Sequence, residues 1–232
     1  MIVYLIGLLV SFGAGAWFIF KAPSKNSWIY LFLSAGGAYL ITILFTHILP
    51  ELFENLGHKT GVVLLIGFLI QIALENFSKG IEHGHSHPTT SKTALIISFS
   101  ALCLHALIEG MPLASSLFSS MIEFDRELTV GIMLHKIPVA ITLATLLIKS
   151  GIKKGNATLW LALFIACTLL GSGIQHYFGG DSTDLMFMSL GLTVGILLHV
   201  STTILFESSD HHKLSPSRIT VIVVGVALGL LS

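Results

Sequence analysis

Long apolar runs alternate with short polar links along the chain. Eight runs approach the ~20 mainly apolar residues that a bilayer-spanning helix needs. They cover 1–20, 28–56, 60–80, 93–120, 128–149, 157–178, 183–206 and 217–232. The last is the shortest and fits a tilted or locally thinned edge helix. The links (KAPSKNS, GHKT, the 82–92 stretch, EFDRE, KSGIKKGN, GGDSTD and SSDHHKLSPSR) are too short to hold a soluble domain. The pattern predicts an all-α integral membrane protein, with eight transmembrane helices in one transmembrane domain over 1–232. Met1–Phe20 is apolar from its first residues, without a basic flank, and reads as a first span, not a cleavable leader.

Composition sharpens this picture. The chain is 53% hydrophobic and 10% charged, where a soluble domain carries about a quarter charged residues. The formal net charge of +0 leaves no basic patch to neutralise phosphates, which argues against a nucleic-acid partner. If the N-terminus is outside, nine of the 12 Lys and Arg flank spans on the inner side, two (Lys59 and Arg126) on the outer side, and Lys136 lies within the membrane. That bias predicts extracytoplasmic termini and a cytoplasmic 82–92 link, in a plasma membrane or a bacterial inner membrane. Cys103 and Cys167 sit in apolar runs and read as small hydrophobes. Gly7, Gly13, Gly15, Gly36, Gly37, Gly225 and Gly229 offer close helix approach in lipid.

The chemistry concentrates in the fourth and fifth runs. His105 and Glu109 in LHALIEGMP are four apart, so on a helix they share a face one turn apart. LHKIPV places His135 and Lys136 at a similar depth one span later. Ionisable groups this deep in a bilayer are costly and mark functional sites. Two imidazoles and a carboxylate suit Zn, Fe(II), Mn, Co or Cd, and three protein ligands with an open position suit transient binding. Pro112 and Pro138 fall within seven residues of His105 and His135, and Pro50 lies in the second run; each removes a backbone donor and frees a carbonyl.

Four motifs in order resemble the ZIP (Zrt/Irt-like) divalent-metal transporters along almost the whole chain. LHALIEGMPLA is similar to the family's fourth-helix His-x-x-x-Glu-Gly element, and MLHKIPVAITLA to its fifth-helix His element. SAGGAYLITILFTHILPEL resembles the second-helix signature, and GFLIQIALENFSKG with HGHSH the third helix and His-rich loop. The resemblance implies a 3+2+3 bundle of eight helices, a core pathway formed by the fourth and fifth, and metal movement toward the cytoplasm. It also sets Tyr39 beside the pathway, as a wall and not a ligand. The chain departs from the family's binuclear site at Ala106, Val139 and Lys136. Val139 has no donor, and an ammonium repels a second cation. The expectation is one core metal at His105, Glu109 and His135, with Lys136 as a fixed internal cation paired to Glu109 in the empty site.

Further donors extend the reading. His47 and Glu51 flank Pro50, and together with His199 and Glu207 they are expected to form an inner relay toward the cytoplasm. The 82–92 link carries His83, His85 and His87, a flexible weak chelator suited to an exit, with His211 and His212 on the same side. Glu54, Glu123, Asp125, Asp181 and Asp184 read chiefly as solvated link carboxylates. The expected function is transport of a divalent cation as substrate, zinc first with iron, manganese or cadmium open, without a resident cofactor. A homodimer is one assembly this allows. The alternatives are an intramembrane zinc-dependent hydrolase, which lacks an HExxH and a ready base, and a metal efflux permease or channel on the same scaffold.

Overall fold

The computed structural model describes residues 1–21, 27–85, 87–114, 126–179, 182–207 and 215–232, the side chains of Ser27 and Glu207 excepted. The described residues are mostly helical, and none of them forms a strand. The helices are α1 (Ile2–Lys21), α2 (Ser27–Ile43, continued through Leu44–Ile48 and Leu49–Leu56), α3 (Lys59–Ser78), α4 (Lys92–Gly110, tightened at Met111–Leu113), α5 (Arg126–Lys149), α6 (Lys154–Ile174, widened at Gln175–Gly179), α7 (Thr183–Glu207) and α8 (Pro216–Leu231). Seven are long and apolar enough to cross a membrane; α8 has 16 residues and falls short of that length. The fourth apolar run, expected to reach residue 120, leaves its α-helix at Gly110, and 115–125 lie outside the described residues.

Local chemistry sets the ends and breaks. Ser91 caps α4 by accepting from the Ala94 N–H at 3.3 Å, and Ser215 caps α8 from the Arg218 N–H with Pro216 in the first turn. Pro50 lacks the N–H that would reach the Thr46 carbonyl, and the turn just before it widens to a π form. Lys79 (φ 58°) and Gly80 (φ 72°) adopt the left-handed conformation at the end of α3. They fold the chain back, so that Ile81–His83 tucks under the helix ends, fully buried.

Depth in the bundle is unequal. In the most apolar stretch of α5, 78% of residues are buried, and 67% in α7, against 28% in α1 and in α3. The most enclosed helices are therefore α5 and α7, with α4 (44%) between them and the outer helices in burial. Small residues set the contacts. A Cβ at Gly110 would run into the Thr168 carbonyl, and one at Gly171 into the Leu107 carbonyl, so α4 and α6 touch backbone to backbone. Of the glycines singled out from the sequence, Gly7, Gly15, Gly37, Gly225 and Gly229 meet neighbouring helices, whereas Gly13 and Gly36 face open space. α3 and α7 run side by side in the same direction: Val63 meets Gly191, Leu192 meets Gly67, and Glu75 meets His199.

Candidate metal centre

Three elements converge on one point. α4 brings His105 and Glu109 on one face, and α5 brings His135 and Lys136 against them; all four are 1–3% exposed. His105 Nε2 lies 3.0 Å from Glu109 Oε1, and His135 Nε2 lies 4.0 Å from the same oxygen. The rings of His105 and His135 are 6.2 Å apart, centre to centre. One donor atom from each of the three residues falls within 4.8 Å of the others. Those three atoms have no hydrogen-bond partner, although all are buried.

The third element fixes the chemistry. Gln71, fully buried on α3, accepts a hydrogen bond from His105 Nδ1 at 2.9 Å. A carbonyl oxygen only accepts, so the ring proton sits on Nδ1 and Nε2 presents a lone pair. That lone pair faces a carboxylate oxygen at 3.0 Å. Two acceptors at such a distance demand a proton or a cation between them. Gln71 thus acts as the outer partner that orients an imidazole ligand. Sequence reasoning missed it; the signal was an amide at i−4 from Glu75 in an otherwise apolar run.

Lys136 closes the other side. Its Nζ donates to Glu109 Oε2 at 2.9 Å and lies 5.1 Å from the centre of the Phe164 ring on α6. At 1% exposure its ammonium does not reach an interface; the stem lies wholly inside. Glu109 therefore divides its two oxygens, Oε2 to the lysine and Oε1 to the two imidazoles. Ala106 and Val139, both buried, offer no donor nearby.

α4 is held in register just past Glu109. The Ser172 hydroxyl donates to the Gly110 carbonyl at 2.7 Å and pairs with the Tyr4 hydroxyl at 2.9 Å. Pro138, one turn into α5 beyond Leu134, leaves the Leu134 carbonyl without its helical donor next to His135.

The remaining candidates are spread along the bundle. His47 bonds the Thr46 hydroxyl at 2.8 Å, and Leu52, next to Glu51, packs near Gly191 and Val63. His199 sits at the Glu75 level of α3, twelve residues beyond Val63, which is about 18 Å at 1.5 Å per residue. The expected relay of His47 and Glu51 with His199 and Glu207 is thus corrected: the two pairs stand toward opposite ends of the bundle. The Glu207 side chain lies outside the described residues. The Tyr39 hydroxyl donates to the Glu127 carbonyl at 3.4 Å, at the start of α5 and two turns from His135, so it serves the α2–α5 contact and not the triad. His85 and His87 stay on the exposed link with rings 6.1 Å apart, but His83 does not: it is 4% exposed, held by the turn after Gly80 and facing Glu75. The reading of His83 as part of a flexible chelating link is corrected accordingly. Glu54 and Asp184 are exposed. Glu123, Asp125, Asp181, His211 and His212 lie outside the described residues.

Comparison with known proteins gives the family of this region. The family model described as ZIP zinc transporter matches residues 79–232, which include the whole triad and Lys136. The zinc transporter ZIP9-B of Xenopus laevis is 24% identical over 160 residues, covering 68% of this chain and 53% of its own length. The zinc transporter ZIP9 of Micropogonias undulatus is 26% identical over 160 residues, covering 68% and 52%. The chain spans about half the length of the curated relatives it matches. With two thirds of its residues under the family model, and the buried His-x-x-x-Glu and His-Lys elements inside that region, the chain belongs to the ZIP family.

Proposed function

We propose that the protein is a carrier of divalent cations that binds one ion at His105, Glu109 and His135 and moves it toward the cytoplasm. Zinc is the first candidate, given the names of the relatives, and iron, manganese and cadmium suit the same donors. One observation carries the reading: three donor atoms of the right chemistry converge in a buried place, within 4.8 Å of each other and without hydrogen-bond partners. Apolar packing leaves no such set unfilled, because each orphaned buried group costs about 1–3 kcal/mol.

The charge arrangement supports one core ion and not two. The Lys136 ammonium occupies the Oε2 side of Glu109, where a second cation would find no further donor at Ala106 or Val139. In the empty carrier Lys136 balances the buried carboxylate; in the loaded carrier the metal shares it. A buried carboxylate deprived of all cations would be strongly unfavourable, so this pairing lets the unloaded carrier return. On this reading the helices form a 3+2+3 bundle of eight spans, with α8 a short one, in one domain. The Lys and Arg bias supports extracytoplasmic termini. Pro138 gives α5 a place to bend as the site opens to either side.

Radiometal flux into proteoliposomes tests this. The parent should take up zinc saturably, with competition from cadmium and iron, and Glu109→Ala should abolish it. Uptake by Glu109→Ala at the parent rate would end the proposal. Flux only outward would reassign the chain as an efflux permease.

A further inference from the structure

The seam between α4 and α6 carries donors that the metal centre does not use. Phe99 and Trp160 pack with ring centres 4.7 Å apart, and further along a Cβ at Gly171 would strike the Leu107 carbonyl. Later residues of α4 meet later residues of α6, so the two helices run side by side in the same direction. Cys103 stands one turn beyond Phe99 and one turn before Leu107. Cys167 stands two turns beyond Trp160 and one turn before Gly171. This register sets the two cysteines level with each other on the facing sides of the seam, and their side chains interact directly. They are the only cysteines in the chain, and both are free thiols.

The pair is separate from the core. At about 100° per residue, Cys103 lies ~200° around α4 from His105, on the opposite face of the helix. His105 turns toward Gln71 of α3, whereas Cys103 turns toward α6.

The seam is shut at both ends and open at its side. The Phe99–Trp160 rings close it below the thiols, and the Leu107–Gly171 backbone contact closes it above. Both cysteines are only half-buried. Ile96, two turns before Cys103, and Leu163, one turn before Cys167, are exposed on the same faces. On spanning helices such a face meets lipid, so uncharged species reach the thiols most readily.

The donor chemistry also differs from that of the core. Thiolates are soft ligands, where imidazole and carboxylate suit borderline and hard ions. Two thiolates and one divalent ion make a neutral complex, which suits surroundings where a net charge is costly. Two metal–sulfur bonds in line, at ~2.3 Å each, span ~4.6 Å, a reach that suits side chains level across a backbone-to-backbone helix contact.

We propose that Cys103 and Cys167 form a two-coordinate site for a soft, thiophilic divalent cation of the Hg²⁺ class, entered from the lipid side as a neutral halide. On binding, two S–H bonds and two metal–halide bonds break and two metal–sulfur bonds form. The halides leave with the two protons, and nothing is oxidised or reduced. Zinc, which takes four ligands, finds too few donors here and is left to the core. The site does not depend on the carrier reading.

The test uses purified full-length protein in detergent, with excess zinc present to occupy the core. HgCl₂ is added, and unbound mercury is removed by gel filtration. Elemental analysis counts mercury per chain, and a thiol reagent in denaturant counts free cysteines; with two cysteines in the chain there is no background. One mercury per chain with no free thiol is expected, with near-ultraviolet sulfur-to-mercury absorption. Cys103→Ser and Cys167→Ala each leave one thiol, and should yield their mercury to about 100- to 10,000-fold less of a competing small dithiol, the scale of losing one of two linked contacts. If one variant does not elute as folded protein, the other decides. Two mercury ions per chain, one on each thiol, would overturn the site. So would one mercury with both thiols free, or mercury retained by the single-thiol protein as firmly as by the parent.

Discussion

Replacing Lys136 by Met removes the internal cation while keeping the length of the side chain. Its Nζ is 2.9 Å from Glu109 Oε2, and both groups are 1% exposed, so water screens little of their field. A divalent ion on the opposite oxygen would stand ~5 Å from Nζ, and at an effective dielectric of ~20 the repulsion is about 6–7 kcal/mol. Relaxation of the surroundings returns part of this, and we take a third to a half, or ~2–3 kcal/mol, as the net effect on binding. At 1.4 kcal/mol per tenfold, zinc should bind Lys136→Met roughly 30- to 150-fold more tightly than the parent. Without zinc the same variant should lose about 3–5 kcal/mol of stability, because a buried carboxylate has lost its partner. Turnover should fall, since the ion leaves slowly and the empty site no longer balances its own charge. Competition with a fluorescent chelator measures affinity, and melting with and without zinc measures stability. Lys136→Arg, which keeps the charge, is the control and should stay near the parent affinity. Equal or weaker zinc binding by Lys136→Met would refute the view that this lysine opposes the ion.

Gln71→Leu removes the acceptor that keeps the proton on His105 Nδ1; zinc affinity should fall about 10- to 100-fold, as for other outer partners of metal ligands, and an unchanged Kd would deny Gln71 that role. Gly110→Ala forces a methyl onto the Thr168 carbonyl and should cost ~1–3 kcal/mol of overpacking, read as a lower Tm, with loss of flux as α4 shifts Glu109. Arg218, 6% exposed, donates through Nη2 to the Ile204 and Leu205 carbonyls and through Nε to Ser34; Arg218→Met leaves those acceptors unmet and should lower stability by about 2–4 kcal/mol without changing zinc stoichiometry. Acid should weaken zinc binding, since the imidazoles and carboxylate must shed protons to ligate; proton release on adding zinc to weakly buffered protein measures this.

Much of the centre was legible because its rules are local. His105 and Glu109 share a face by helical spacing alone, and the cost of burying Lys136 pointed to Glu109 as its partner. The spans followed from hydropathy. What escaped depended on where helices lie against each other. Gln71 is one amide in an apolar run, and only the α3–α4 contact makes it the partner of His105. His83 reads as part of a polar link until the left-handed pair at Lys79 and Gly80 turns it inward; the Lys-Gly step after α3 was the available cue. The error over His47 and His199 was avoidable from the sequence. Successive spans alternate in direction, so the end of the second and the end of the seventh face opposite ways.

The backbone contact between Gly110 and Gly171, with the Tyr4–Ser172–Gly110 chain of hydroxyls beside it, ties α4 to α6 and to the start of α1. A pair of helices joined without intervening side chains has no room to slide. On the carrier reading, alternating exposure of the ion then comes from α5 and its lysine shifting against a fixed α4–α6 wall. A cross-link between α4 and α6 should therefore leave turnover intact, where one between α4 and α5 should stop it.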